Sequence, residues 1–428
     1  MKKSKFLNIL ICILALVVGL AGGAVGVTYA TMPDTEELIV GEETYYSYND
    51  HGDIQTVELT GDAGEMSIHF LELGNKYTGD CTYIKIGDVD ILIDCGSKSS
   101  SISTVSAYLD KYVTDDTLEY VIVTHAHQDH YAGFATSAKI DSIFDLYTCE
   151  KIITFATTNQ KASSTYSGNN IISYAPASKS ESTMYNNFNR ELNAEVSNGA
   201  THITVAQILA DDITYPDGKI VLDATNNVNM QILDSKYYYE EAESENDYSV
   251  CTMFNYGERY FLMTGDLEED GEESLVSLNP IFTDLKNECV AGTREYGVEL
   301  YKAGHHGSKT SSSEILLDHI RPNVVAVCCC AGSSEYTKTV DNQFPTQAFI
   351  TRVAKWTENI YVTTMCVDYK NNEFQSMNGN IVIVSTQTNV GIKCSNNDTK
   401  LRYTDWFSKL VVDETGTERP NRVWPSNS

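Results

Sequence analysis

Positive charge is scarce in this sequence. Thirty lysines and arginines stand against 59 aspartates and glutamates in 428 residues, a formal charge of −29. Holding a polyanion by broad basic contact needs the opposite balance. No Cys-x-x-Cys pair occurs among the eleven cysteines, so a thiolate zinc site has no support. The ten cysteines beyond Cys12 show no small-domain disulfide framework, and Cys328, Cys329 and Cys330 stand together in the apolar run NVVAVCCCAG. They read as free core residues, with one or two disulfides as the alternative. Ser-x-x-Lys and Gly-x-Ser-x-Gly are also absent, which removes the usual serine nucleophiles. No internal repeat is evident, so a repeat array is excluded.

Export signals are present. Lys2, Lys3 and Lys5 precede an apolar run from Phe6 to Val27, and Thr28-Tyr29-Ala30 offers small residues for signal-peptidase cleavage. The run is also long enough to span a bilayer. Residues 1–30 therefore read as a signal peptide or a membrane anchor, with the rest of the chain extracellular or on the outer face of the cytoplasmic membrane. Residues 31–63 are acidic and polar and read as a linker. From 64 to about 390, short apolar runs alternate with turn signals and helical spacing, as in MSIHFLEL, CTYIKIGDVDILIDCG (turning at Gly87-Asp88), SISTVSAYLDKYV and LEYVIVTHAH. Residues 157–200 are rich in Ser, Asn, Thr and Tyr and read as an insertion, disordered or covering a site. Residues 391–428 read as a C-terminal tail. Strands at both ends with helices between them imply a layered α/β sandwich.

The chemistry concentrates in YVIVTHAHQDHYAG. Three of the nine histidines and an aspartate follow a run of β-branched residues at H-x-H-x-D-H spacing: His125, His127, Asp129 and His130. A strand that stops here presents four metal-capable groups within a few ångströms, and imidazole with carboxylate is the usual ligand set for zinc and related ions. Two more apolar strands end the same way. RYFLMTGD delivers Asp266, and LYKAGHHGS delivers His305 and His306, with Ser308 as a supporting neighbour. His305 leaves its strand first and is favoured over His306. His202, in NGATHITV, is a further candidate ligand.

The order of these segments resembles the metallo-β-lactamase fold superfamily, specifically the hydrolase domain of ComEC-type competence proteins, here stand-alone and exported. The resemblance spans roughly 65–385 and includes LIDCG, VTHAHQDHYAG, NDYSV, FLMTGD and AGHHGS. It implies an αββα sandwich behind the export segment, and a binuclear metal centre. In that scheme Asp94 orders the histidine loop, His125 and His127 bind one ion, Asp129 and His130 the second, Asp266 bridges, and His305 completes the second. Asn246 and Ser249 match the family's Asn-x-x-Ser and are structural. Phe344-Pro345 stands where the family often has His-Pro.

Two divalent ions, zinc first and manganese second, ionise a bridging water, and Asp129 or Asp266 takes the proton. The expected function is metal-dependent hydrolysis, most readily of a phosphodiester. A small-molecule or cell-envelope ester fits the charge and the export signal, as in secreted phosphorylcholine esterases, with STMYNNF and DSKYYYEEAESENDY as aromatic stretches able to cage a choline-like cation. A ComEC-like nuclease linked to DNA uptake is the alternative, although only Lys302 and Lys309 flank the metal motifs. A non-catalytic module on the same fold is the third reading.

Overall fold

The structure is a computed structural model and describes residues 44–48, 54–58, 64–136, 140–162, 172–173, 182–386, 389–413 and 415–426. The expected export segment lies outside these residues. No helix among them is long and apolar enough to cross a membrane.

Alternation along the strands builds two sheets with helices packed against them. In the fully buried strand Val324–Ala331, Val325, Val327, Cys329 and Ala331 join one apolar cluster, while Val324, Ala326, Cys328 and Cys330 are buried on the opposite face. A strand covered on both sides reads as a continuous apolar run, which is why CCC occurs there. The cluster also takes Leu275, Phe282, Leu285, Leu316, Leu317, Phe349 and Ile350 from the helices Glu269–Leu278, Pro280–Ala291, Glu314–Ile320 and Gln347–Val353. Each such side chain contributes about 1.5–3 kcal/mol of burial. On the other sheet, the helix Ile102–Leu109 buries Ile102, Val105, Tyr108 and Leu109, one helical stripe. The result is the αββα sandwich.

Parallel strands in each sheet finish at the edge that carries the site. In the ten-stranded sheet these are Val89–Ile93, Thr117–Val123, Thr148–Thr154 and Thr201–Thr204. In the eight-stranded sheet they are Arg259–Met263, Leu300–Lys302, Val324–Ala331 and Ile360–Asp368. Val250 N donates to Thr124 O (2.9 Å), joining the segment before one sheet's strand to the end of the other's.

Three boundaries differ from the sequence reading. Within the expected linker, Thr44–Tyr48 and Ile54–Glu58 form an antiparallel pair joined to the strand Val390–Cys394. Period-2 pairing needs few apolar residues at a sheet edge, so composition hid it. The expected tail supplies that strand together with Leu401, Trp406 and Phe407 to the core, and it buries Arg422. Part of the 157–200 insertion is the helix Thr183–Asn198, capped by Ser182 and ended by Gly199. Among the described residues all ten cysteines are free thiols.

Candidate metal centre

The central strand Thr117–Val123 ends at Thr124, and the chain then turns into the short helix Gln128–Tyr131. His125 and His130 are fully buried there. Asp94, which follows the neighbouring strand, holds the turn: its Oδ1 accepts from Thr124 N (2.8 Å) and its Oδ2 from Thr124 Oγ1 (2.7 Å). Gly96, two residues on, has no room for a side chain, since a Cβ would fall 1.6 Å from Asp129 O. Ser249 Oγ accepts from Asp266 N (3.1 Å) and lies 3.4 Å from His125 Nδ1, tying the second sheet to the histidine loop.

The donor atoms converge. His125 Nε2 lies 3.0 Å from His127 Nδ1, while His130 Nε2 and His306 Nε2 lie 3.1 and 3.2 Å from Asp266 Oδ2. His306 Nε2 is 3.5 Å from Asp129 Oδ2. Donors about 2.1 Å from a shared ion stand roughly 3.0–3.4 Å apart, so these are the edges of a coordination shell. Asp266 Oδ1 is buried without a hydrogen-bond partner, and His130 Nε2 and His306 Nε2 face only the carboxylates of Asp266 and Asp129, an arrangement that a cation in their midst would satisfy. The partners behind the rings agree. His306 Nδ1 is 2.9 Å from Cys328 O, an acceptor only, so Nδ1 carries the proton and the Nε2 lone pair is left facing the cluster. His130 Nδ1 is 2.8 Å from Asp94 Oδ2 and is fixed the same way. These residues fit a metal centre.

Electrostatics sort the histidines. Burial, with His130 and His127 alongside, holds His125 well below the usual imidazole range, and burial lowers His127, so both are neutral and have a lone pair to offer a cation. Burial opposes protonation of His130 and His306, but neighbouring carboxylates overcome it: Asp266 and Asp94 push His130 up, and Asp266 and Asp80 push His306 up. Without a cation these two sites carry protons that metal must displace.

His306, not His305, joins the cluster. Two successive left-handed residues, His305 (φ 42°) and His306 (φ 55°), turn the HHG segment so that the second ring goes in and the first stays at the rim. Such backbone costs about 1–3 kcal/mol per residue and survives where the surroundings enforce it. His305 Nδ1 instead lies 3.1 Å from Glu268 Oε1 and 3.4 Å from Asn246 Nδ2. His202 is outside the cluster as well, on the edge strand Thr201–Thr204 with Nε2 2.9 Å from Thr154 Oγ1. Ser308 meets Thr310 Oγ1 (3.0 Å) and supports the rim. Lys302 is buried beneath the cluster, where it pairs with Asp80 and donates to Gly265 O (2.8 Å). It is therefore not a free phosphate contact, whereas Lys309 is exposed. Tyr185, Phe188 and Tyr238, from the two aromatic stretches, are buried packing residues.

Sequence reasoning missed Asp80, Glu245 and Tyr336. Asp80 is fully enclosed, its Oδ1 3.2 Å from His306 Nδ1, and Gly-Asp directly before an antiparallel strand was the available signal. Glu245 accepts from Ala126 N (3.1 Å), between the paired histidines, and from Thr158 Oγ1 and Asn159 N. Tyr336 Oη donates to Asp129 Oδ2 (2.8 Å) from the loop after Val324–Ala331.

Residues 74–142 match the model of the Metallo-beta-lactamase superfamily. Over 84 residues the chain is 31% identical to Recombination protein 2 of Haemophilus influenzae, covering 20% of this chain and 9% of that protein. Over 103 residues it is 26% identical to ComE operon protein 3 of Bacillus subtilis, covering 23% and 12%. The matches thus span about a tenth of those relatives' own length. Among solved structures, the metallo-beta-lactamase fold protein YhfI of Bacillus subtilis aligns at 11% identity and a TM-score of 0.36, covering 70% of this chain and 96% of that one. CmlA, a diiron β-hydroxylase of Streptomyces venezuelae, aligns at 11% identity and 0.30, covering 63% and 45%.

Proposed function

We propose that this chain, whose residues 74–142 match the metallo-β-lactamase superfamily model, is a metal-dependent phosphodiesterase, exported or held at the outer face of the membrane. The observation that carries the reading is the convergence of His125, His127, His130, His306, Asp129 and Asp266 on one buried centre. Imidazoles mixed with carboxylates suit zinc, with manganese second. Divalent cations held there would make water acidic enough to ionise near neutral pH and would polarise the bond under attack.

The protein's own groups do the rest. His125 and His127 form one side of the centre, Asp129, His130 and His306 the other, and Asp266 stands between them. Burial pushes the thiols of Cys81 and Cys328, which adjoin Asp80 and His306, well above their usual range, so neither is a ready nucleophile. Small or zwitterionic esters are favoured over duplex DNA, because the formal charge is −29 and Lys302 is spent on Asp80. The likeness to competence-type relatives across the histidine segment supports a nuclease as the second reading.

The test is metal content together with turnover of bis(p-nitrophenyl) phosphate, p-nitrophenyl phosphorylcholine, oligonucleotides and plasmid DNA, at matched metal and several salt concentrations. We expect bound divalent metal and hydrolysis of the small esters. Cleavage of DNA alone at physiological salt restores the nuclease reading, and a metal-loaded protein that hydrolyses none of them is a binding module.

A further inference from the structure

The loop from Gly332 to Pro345 stands over one side of the donor cluster, and it is held at three places. Gly332 N donates to Phe344 O (2.8 Å), closing its base. Glu335 Oε2 accepts from Thr78 N (3.0 Å), while its Oε1 lies 3.8 Å from Lys98 Nζ. At the far end Arg422, 1% exposed and 4.9 Å from the Trp406 ring, donates to Gln343 O (2.7 Å) and Pro345 O (3.0 Å).

What this clamping presents is Tyr336. The residue is 57% exposed, yet its hydroxyl reaches Asp129 Oδ2 at 2.8 Å, the oxygen that faces His306 Nε2. Phe344 flanks it at 5.7 Å between ring centroids and lies 5.6 and 5.8 Å from the rings of His305 and His306. An exposed side chain loses rotamer freedom when it is fixed, so a hydroxyl poised here needs a scaffold, and the clamped loop supplies one. Lys302, the buried cation beside the cluster, lies beneath it and is held by Asp80. Tyr336 therefore supplies a neutral donor from the solvent side.

We propose that Tyr336 is the residue that meets the substrate: its hydroxyl turns its one hydrogen from Asp129 Oδ2 to a non-bridging oxygen of the phosphoryl group as charge builds there, and Phe344 forms the apolar wall beside it. The O–H bond stays intact throughout, so the step is a hydrogen bond and no proton leaves the phenol. This inference rests on the phosphodiesterase reading. It concerns a side chain that neither the histidine motifs nor the strand-end aspartate points to.

The experiment uses the full chain loaded with Mn2+, as wild type, Tyr336→Phe and Tyr336→Ala. Metal content, kinetics on bis(p-nitrophenyl) phosphate and inhibition by orthovanadate are read in each. Losing one donor to a developing oxyanion costs about 10²-fold in kcat, so Tyr336→Phe should fall by that order with metal content and KM little changed. Its vanadate inhibition constant should rise about tenfold, reflecting one lost charge-assisted hydrogen bond. Tyr336→Ala should raise KM as well. Wild-type kcat and vanadate affinity in Tyr336→Phe overturn the inference. So does a loss of metal that accounts for the loss of rate, because Tyr336 would then act only by holding Asp129. A wild type that turns over no phosphodiester sinks the phosphodiesterase reading itself, a result separable from both.

Discussion

The two sides of the donor cluster are built unequally. Asp129, His130 and His306 bring three donors together, and two of the rings are oriented from behind, His130 by Asp94 and His306 by Cys328 O. His125 and His127 form a pair 3.0 Å apart whose nearest neighbours behind His125 are hydroxyls, Thr124 Oγ1 at 3.1 Å and Ser249 Oγ at 3.4 Å. Thr124 Oγ1 spends its hydrogen on Asp94 Oδ2, so toward His125 Nδ1 it can only accept, and a neutral acceptor raises an imidazole's basicity less than the carboxylate behind His130 does. The difference teaches that the donor cluster has one firmly braced side and one looser side, with Asp266 against both His130 and His306.

Removing the shared ligand gives the largest effect. Asp266→Ala should release metal from both positions and lower hydrolysis by about 10³-fold or more, since several kcal/mol of charge stabilisation are lost. Circular dichroism should still report a folded chain, and full activity would break the binuclear reading. Next comes a contrast within one turn. His306→Ala should weaken metal binding by about 10²-fold or more, beyond the range seen when only an outer partner is lost, whereas His305→Ala should retain it. Equal losses by calorimetry would return His305 to the ligand set. His127→Ala should then lower the stoichiometry towards one ion per chain, and loss of both would mean the sides are not independent. Asp94→Asn, which changes only what stands behind His130, should cost about 10–100-fold in metal affinity.

How much of this was legible follows from what a one-dimensional pattern can carry. Apolar strands ending at His125, Asp266 and the His305-His306 pair were readable because parallel strands in a layered α/β fold end at one edge; the α/β sandwich followed from the same alternation and its αββα form from the family resemblance. The choice between His305 and His306 was not readable, because it turns on two left-handed backbone residues that no periodicity encodes. Asp80, Glu245 and Tyr336 were missed because each reaches the centre across the fold: Asp80 from a loop before an antiparallel strand, Glu245 from 119 residues beyond Ala126, and Tyr336 from 207 residues beyond Asp129. The C-terminal segment read as a tail because its anchor, Arg422, is a charged residue buried against backbone carbonyls, the reverse of what composition suggests.

The smallest expected effect on the donor cluster itself lies just behind the turn that carries the two histidines, where the readout is stability. Glu272 is fully buried and accepts from Ser312 N and Ser313 N, both at 2.6 Å, fixing the segment that follows HHGS. Burial raises its pKa from 4.5 to about 7, against hydrogen bonds from Ser313 and Ser312 and the charge of Arg352, which act to lower it. A carboxyl whose folded pKa exceeds its unfolded value binds its proton more tightly in the native state. Its favourable contribution is therefore complete below pH 4.5 and is lost as pH rises through about 7. Glu272→Gln does not titrate. The difference in unfolding free energy between wild type and variant should thus shift in the variant's favour between pH 5 and 8, by at most about 3 kcal/mol for a shift of this size. Urea unfolding of both proteins in a chelator is the measurement, because metal linkage is then removed and the titration of His130 and His306 is common to both. A pH-independent difference would mean that Glu272 stays ionised in the folded protein and that its two backbone donors outweigh its burial.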